Sequence, residues 1–90
     1  MLNNKAKLST SLEDYLETIL FLETKNRVAR VKDIAENMNV QMSSVTSALK
    51  NLKDKKLVNY EKNSFISLTD KGKKIAETVQ KKHDIIRDFL

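Results

Sequence analysis

Residues 31–56, VKDIAENMNVQMSSVTSALKNLKDKK, decide the fold. Val31, Ile34, Ala35 and Met38 recur at helical spacing and line one side of a first short helix. Val45, Ala48, Leu49 and Leu52 do the same for a second. Between them, Asn39-Val40-Gln41 leaves room only for a sharp turn. Asn39 is the residue suited to a left-handed conformation there, since no glycine is at hand. Two short helices joined this tightly make a helix-turn-helix.

The outward face of the second helix follows from its geometry, at about 100° per residue. Ser43, Ser47, Lys50 and Asn51 lie opposite the apolar stripe, and Ser44 and Thr46 flank it. All can donate or accept hydrogen bonds. Such a face fits the DNA major groove, where the N-terminal end of a reading helix meets base edges. It would serve equally as a solvated face, and helix-turn-helix pairs also act as plain packing units. The rest of the chain has to separate these readings.

Ninety residues make one small domain, and 40% hydrophobic residues suffice for a thin core. There is no cysteine, which excludes disulfides and thiolate metal sites and fits a cytoplasmic protein. No apolar run reaches the roughly 18 residues of a membrane span, and no apolar signal region follows the first residues. The net charge of +5 suits a polyanionic partner, although 12 acidic residues accompany the 17 basic ones. One histidine, no cysteine and no glycine-rich phosphate loop give no catalytic constellation, so an enzyme is not expected.

Outside the central stretch, residues 1–8 read as a polar, mobile N-terminal arm. A first helix is expected from Thr10 to Thr24, with Leu12, Tyr15, Leu16, Ile19, Leu20 and Leu22 as its apolar stripe. Thr10 or Ser11 would cap it. A short connector over 26–30 would carry a β-bridge at Val28. After the helix-turn-helix, Leu57–Tyr60 and Phe65–Leu68 hold β-favouring residues around a polar turn, forming a wing over 57–68. Thr69 would cap a last helix over 70–90, with Ile75, Val79, Ile86 and Leu90 as its stripe. The whole chain, 1–90, then reads as one winged helix-turn-helix domain, mainly α with a small β-hairpin. A wing beside a candidate reading helix favours DNA binding. Lys32, Lys50, Lys53, Lys55, Lys56 and Lys62 are its candidate phosphate contacts, which would make affinity salt-sensitive. The candidate DNA-binding set is Lys32, Ser43, Ser44, Thr46, Ser47, Lys50, Lys53 and Lys62.

Several blocks resemble the N-terminal domain of the DtxR/MntR family of metal-dependent repressors. Ser11-Leu12-Glu13-Asp14-Tyr15-Leu16-Glu17-Thr18-Ile19 is similar to the family's S-x-E-D-Y-x-E-x-I helix. Arg30–Glu36, Ser44-Val45-Thr46, Leu57-Val58 and Leu68–Ala76 follow the pattern, and His83–Leu90 is similar to its R-H-x-L-L-E-x-F-L. The L-T-x-K-G block is shared by many winged helices; the E-D-Y-x-E helix together with the late histidine is more specific. The resemblance implies a transcriptional repressor that binds Mn²⁺ or Fe²⁺, dimerises, and then binds palindromic operators on double-stranded DNA. It implies Asp14, Glu17 and His83 as metal ligands.

Read by angle, Asp14, Glu17 and Phe21 share a face of the first helix opposite its core stripe. An exposed aromatic on an acidic face suggests a second packing surface. Two carboxylates and an imidazole suit Mn²⁺ or Fe²⁺ better than copper or structural zinc. The same residues have ordinary readings too, as helix-dipole partners and a packed histidine.

The chain also departs from the family pattern. Relatives continue into a dimerisation domain with further ligands, whereas this sequence stops at Leu90, so the site is expected to be incomplete and the homodimer to form through residues beyond Leu90. Arg87 replaces a frequent Glu, which argues against an ancillary metal site. Asn63-Ser64-Phe65 replaces aromatic-Arg-Gly in the wing turn, and poorly capping Gln41 replaces a serine. Phe21, Phe89 and Leu90 are candidates for a surface that a partner covers. The expected function is therefore a cytoplasmic, metal-dependent DNA-binding regulator. Two other readings are a metal-independent winged-helix regulator and a winged-helix protein-interaction module. Mn²⁺ dependence of operator affinity separates the first of these; weak salt sensitivity would mark the second.

Overall fold

Helix α1 (Thr10–Asn26) starts one residue earlier in its capping than the sequence suggests. The Ser9 hydroxyl accepts the Leu12 N–H at 3.2 Å, and the Ser9 carbonyl accepts the Glu13 N–H at 3.0 Å. Ser9, not Thr10 or Ser11, is the cap, because the residue before the first helical turn must supply the acceptor. The helix also runs past Thr24, whose hydroxyl donates back to the Leu20 carbonyl at 2.9 Å and so stays within the helical ladder. The computed structural model describes residues 9–26, 28–61 and 65–89, the side chains of 26 and 83–89 excepted. The expected N-terminal arm, Lys62 and Leu90 lie outside the described residues.

Helices α2 (Val31–Met38) and α3 (Met42–Asp54) follow, as their spacing requires. Then come β1 (Val58–Asn59), β2 (Ser67–Leu68) and α4 (Asp70–Phe89). The strands pair antiparallel, Val58 with Leu68 and Asn59 with Ser67. They are shorter than expected. Leu57 is taken into the core at a bend, and Phe65 lies outside the ladder, half exposed. The connector is tied to this hairpin by a bridge between Ala29 and Ile66, in which the Ile66 N–H reaches the Ala29 carbonyl at 2.8 Å. The bridge falls on Ala29 rather than Val28. Ala29 is fully buried there, and the small side chain lets the connector cross close beneath the wing.

One core joins these elements. Leu16 and Ile19 of α1 meet Ile34 of α2, Val45, Leu49 and Leu52 of α3, and Ile66 from the wing, all fully buried. Each such side chain contributes about 1.5–3 kcal/mol on burial. No described polar or charged side chain is buried with them. The Glu23 carboxylate is half-buried and accepts the Leu68 N–H at 3.4 Å, linking α1 to β2. Burial pushes its pKa up from 4.5, offset in part by that N–H and by the charge of Lys73.

The start of α4 is fastened in a way the sequence stripe does not show. The Thr69 hydroxyl accepts the Gly72 N–H at 3.0 Å, capping the helix, and donates to the Lys56 carbonyl at 2.8 Å. The Thr69 N–H reaches the Leu57 carbonyl at 3.1 Å. Gly72 is buried against that same residue, and a Cβ there would overlap the Leu57 carbonyl oxygen. The buried row of α4 is therefore Gly72, Ala76 and Val79, with Ile75 at its margin. The expected stripe of large residues missed the two small ones. Ile86 and Leu90 lie outside the described side chains. The architecture is a winged helix-turn-helix, mainly α with a small β-hairpin.

Candidate nucleic-acid interface

Helix α3, the candidate reading helix, is held by a turn built from the backbone. Asn39 sits at φ 57° and ψ 49°, in the left-handed region. The Asn39 N–H bonds the Glu36 carbonyl at 3.3 Å, and the Val40 N–H bonds the Ala35 carbonyl at 3.0 Å. This is the paired closure of a Schellman motif, and it satisfies carbonyls that the end of α2 would leave open. It also sets the direction in which α3 leaves. Gln41 precedes α3 without a side-chain cap; its carbonyl accepts the Ser44 and Val45 N–H groups at 3.0 and 3.2 Å. The helix nevertheless starts cleanly at Met42, because burial of Val45, Leu49 and Leu52 fixes it from the core side.

With that side buried, Ser43, Ser44, Ser47, Lys50 and Asn51 are exposed. Lys53 and Lys32 are exposed as well, the latter on α2. Thr46 differs from its neighbours. It is half-buried, and its hydroxyl donates to the Met42 carbonyl at 3.0 Å, so only its lone pairs and methyl remain for a partner. Met42, the first residue of α3, is 52% exposed and lies beside an open groove formed with Lys32, Glu36, Asn39, Val40 and Gln41. The arrangement offers hydroxyl, amide and ammonium groups on one convex ridge. Such a ridge can hydrogen-bond base edges and phosphates.

The predicted metal ligands fare differently. Asp14 and Glu17 are half-buried on α1, one turn apart and on one face. Phe21 shares that side and is 45% exposed, with the Lys25 ammonium 5.3 Å from its ring centroid. His83 belongs to α4, which packs along α1, but its side chain lies outside the described residues. Among the described residues, no three His, Cys, Asp or Glu gather. The side chain of Phe89 is likewise outside the description.

Sequence reasoning missed Arg30. It is exposed at the start of α2, and its guanidinium carbon lies 5.1 Å from the Phe65 ring centroid. The only signal available was a basic residue closing a short extended connector, which is too common to single out.

Comparison with known proteins agrees with this geometry. Residues 7–65 match the family described as "Iron dependent repressor, N-terminal DNA binding domain". Among solved structures, AF1382 from Archaeoglobus fulgidus is 28% identical with a TM-score of 0.78, over 91% of this chain and 93% of that one. Lactococcus lactis ZitR, described as a zinc-responsive MarR family member, is 26% identical with a TM-score of 0.73, over 87% of this chain. The adhesin competence repressor AdcR of Streptococcus pyogenes shares the fold, with a TM-score of 0.75 at 23% identity. The chain spans about half the length of ZitR, 52%, but nearly all of AF1382.

Proposed function

The chain belongs to the iron dependent repressor family, through its N-terminal DNA binding domain, and from that premise we propose that it represses transcription by placing α3 in the major groove of a palindromic operator. The exposed ridge of Ser43, Ser44, Ser47 and Lys50, opposite a fully buried stripe, is the observation that carries this reading. Ser43, Ser44 and Ser47 read base edges, with Thr46 contributing its methyl and lone pairs. Lys32, Lys50, Lys53 and Lys62 hold phosphates and set the register. A palindrome calls for two reading helices about 34 Å apart, so the active species is a homodimer.

Repression responds to a divalent cation, Mn²⁺ or Fe²⁺. Asp14 and Glu17 supply two carboxylate ligands from one face of α1, and His83 of α4 supplies the imidazole. The donor set suits hard-to-borderline metals, and further ligands are needed for octahedral coordination. When bound, the cation would tie α1 to α4. The likeness to ZitR favours metal response as a class without choosing the metal.

The test uses duplexes selected from a random pool, with binding measured with and without Mn²⁺ or Fe²⁺. The expected result is specific binding that the cation tightens and that Ser47→Glu abolishes while the fold stays intact. Binding indifferent to every cation would leave a metal-independent regulator. Binding indifferent to Ser47→Glu would remove α3 as the reader.

A further inference from the structure

We propose that Arg30, stacked on Phe65, is a preformed DNA-phosphate contact that gives the wing the arginine its own turn lacks. The inference rests on the DNA-binding reading above and adds a residue outside its contact set. The bridge between Ala29 and Ile66 runs antiparallel, so the next pair outward sets Arg30 opposite Phe65. The guanidinium then lies over the ring, 5.1 Å from its centroid. Phe65 is 50% exposed and is not part of the core cluster, so its ring serves as a platform at the surface.

The chemistry fits a phosphate. A guanidinium is planar and weakly hydrated, so one face can rest on an aromatic ring while the N–H edge stays available. That edge matches two phosphate oxygens in a fork. Stacking restricts a long side chain before any ligand arrives, which lowers the ordering cost of binding. The position also fits. Arg30 joins α2 to the wing, and both pack against α3, so a backbone passing the reading helix runs near this junction. Lys32 is exposed two residues on. The wing turn reads Asn63-Ser64-Phe65, without an arginine of its own. Phe65 thus recruits a cation from a different segment of the chain.

The experiment measures affinity over a salt series, using the full chain and both a selected duplex and an unrelated one. Arg30→Ala should weaken both complexes about tenfold and lower the log–log salt slope by about 0.9. Thermal unfolding should not change. Phe65→Ala should weaken binding less, and should add nothing when Arg30 is already alanine. Arg30→Lys should keep the salt slope but recover only part of the affinity. An unchanged salt slope in Arg30→Ala, or additive losses in the double variant, would overturn the contact and leave Arg30 as a cover for the ring. In that event Ser47→Glu would still abolish binding, and the operator-binding reading would stand. A wild-type chain that binds no duplex under any of these conditions removes both.

Discussion

Helices α2 and α3 end in the same hydrogen-bonded closure but with different residues at its centre. After α2 the left-handed residue is Asn39, at φ 57°. After α3 it is Lys56, at φ 62°, with its N–H on the Lys53 carbonyl at 2.9 Å and the Leu57 N–H on the Leu52 carbonyl at 2.9 Å. Asparagine visits that conformation readily; for lysine it costs about 1–2 kcal/mol. The first reversal is therefore local, written into its own residue. The second is imposed from outside. Thr69 binds the Lys56 carbonyl, and the Gly72 turn of α4 presses against Leu57, so the start of α4 holds the end of α3 in place. The two halves of the helix-turn-helix are thus shaped by different means.

This contrast can be broken by substitution. The largest effect is expected from Gly72→Ala. Its Cβ meets backbone at Leu57, which cannot rotate away. The loss should be about 3 kcal/mol in urea unfolding, with the wing displaced. A loss below 1 kcal/mol would show that α4 does not clamp Leu57. Thr69→Ala removes both the helix cap and the bond to Lys56, and should cost about 1–2 kcal/mol. Thr69→Ser, which keeps the hydroxyl, should restore most of it. Lys56→Gly should relieve the imposed conformation and stabilise the protein by about 0.5–1 kcal/mol. Asn39→Gly, by comparison, should change stability by only a few tenths of a kcal/mol. Equal responses at the two positions would mean that the reversals do not differ in origin.

The sequence was most legible where one periodic stripe met one punctuating residue. The pair α2–α3, the turn between them and the exposure of Ser43, Ser47 and Lys50 followed from apolar spacing and from Asn39 alone; the end of α3 at Asp54 did not. It was least legible where small residues carry the packing. Gly72 and Ala76 have no hydrophobic pattern to betray them, yet they occupy the buried row of α4. The same holds for Ala29, whose bridge was expected one residue earlier. The strands of the wing looked longer in composition than they are in the ladder, because β-favouring residues also suit the bend at Leu57 and the surface at Phe65.

The candidate sites divide along the same line. Spacing on one helix was enough to place Asp14 beside Glu17 and to turn the serines of α3 outward, since the α-helix has a fixed angular step. Nothing in either local segment paired Arg30 with Phe65. They are far apart in the chain, and only the antiparallel register between connector and wing brings them together. What the sequence determined by itself was therefore the helical order and the faces of α1, α2 and α3, because those depend on short-range periodicity. The tertiary structure decided the strained Lys56 turn, the Gly72 clamp and the stacked arginine. Each of these depends on how closely two distant stretches of backbone approach.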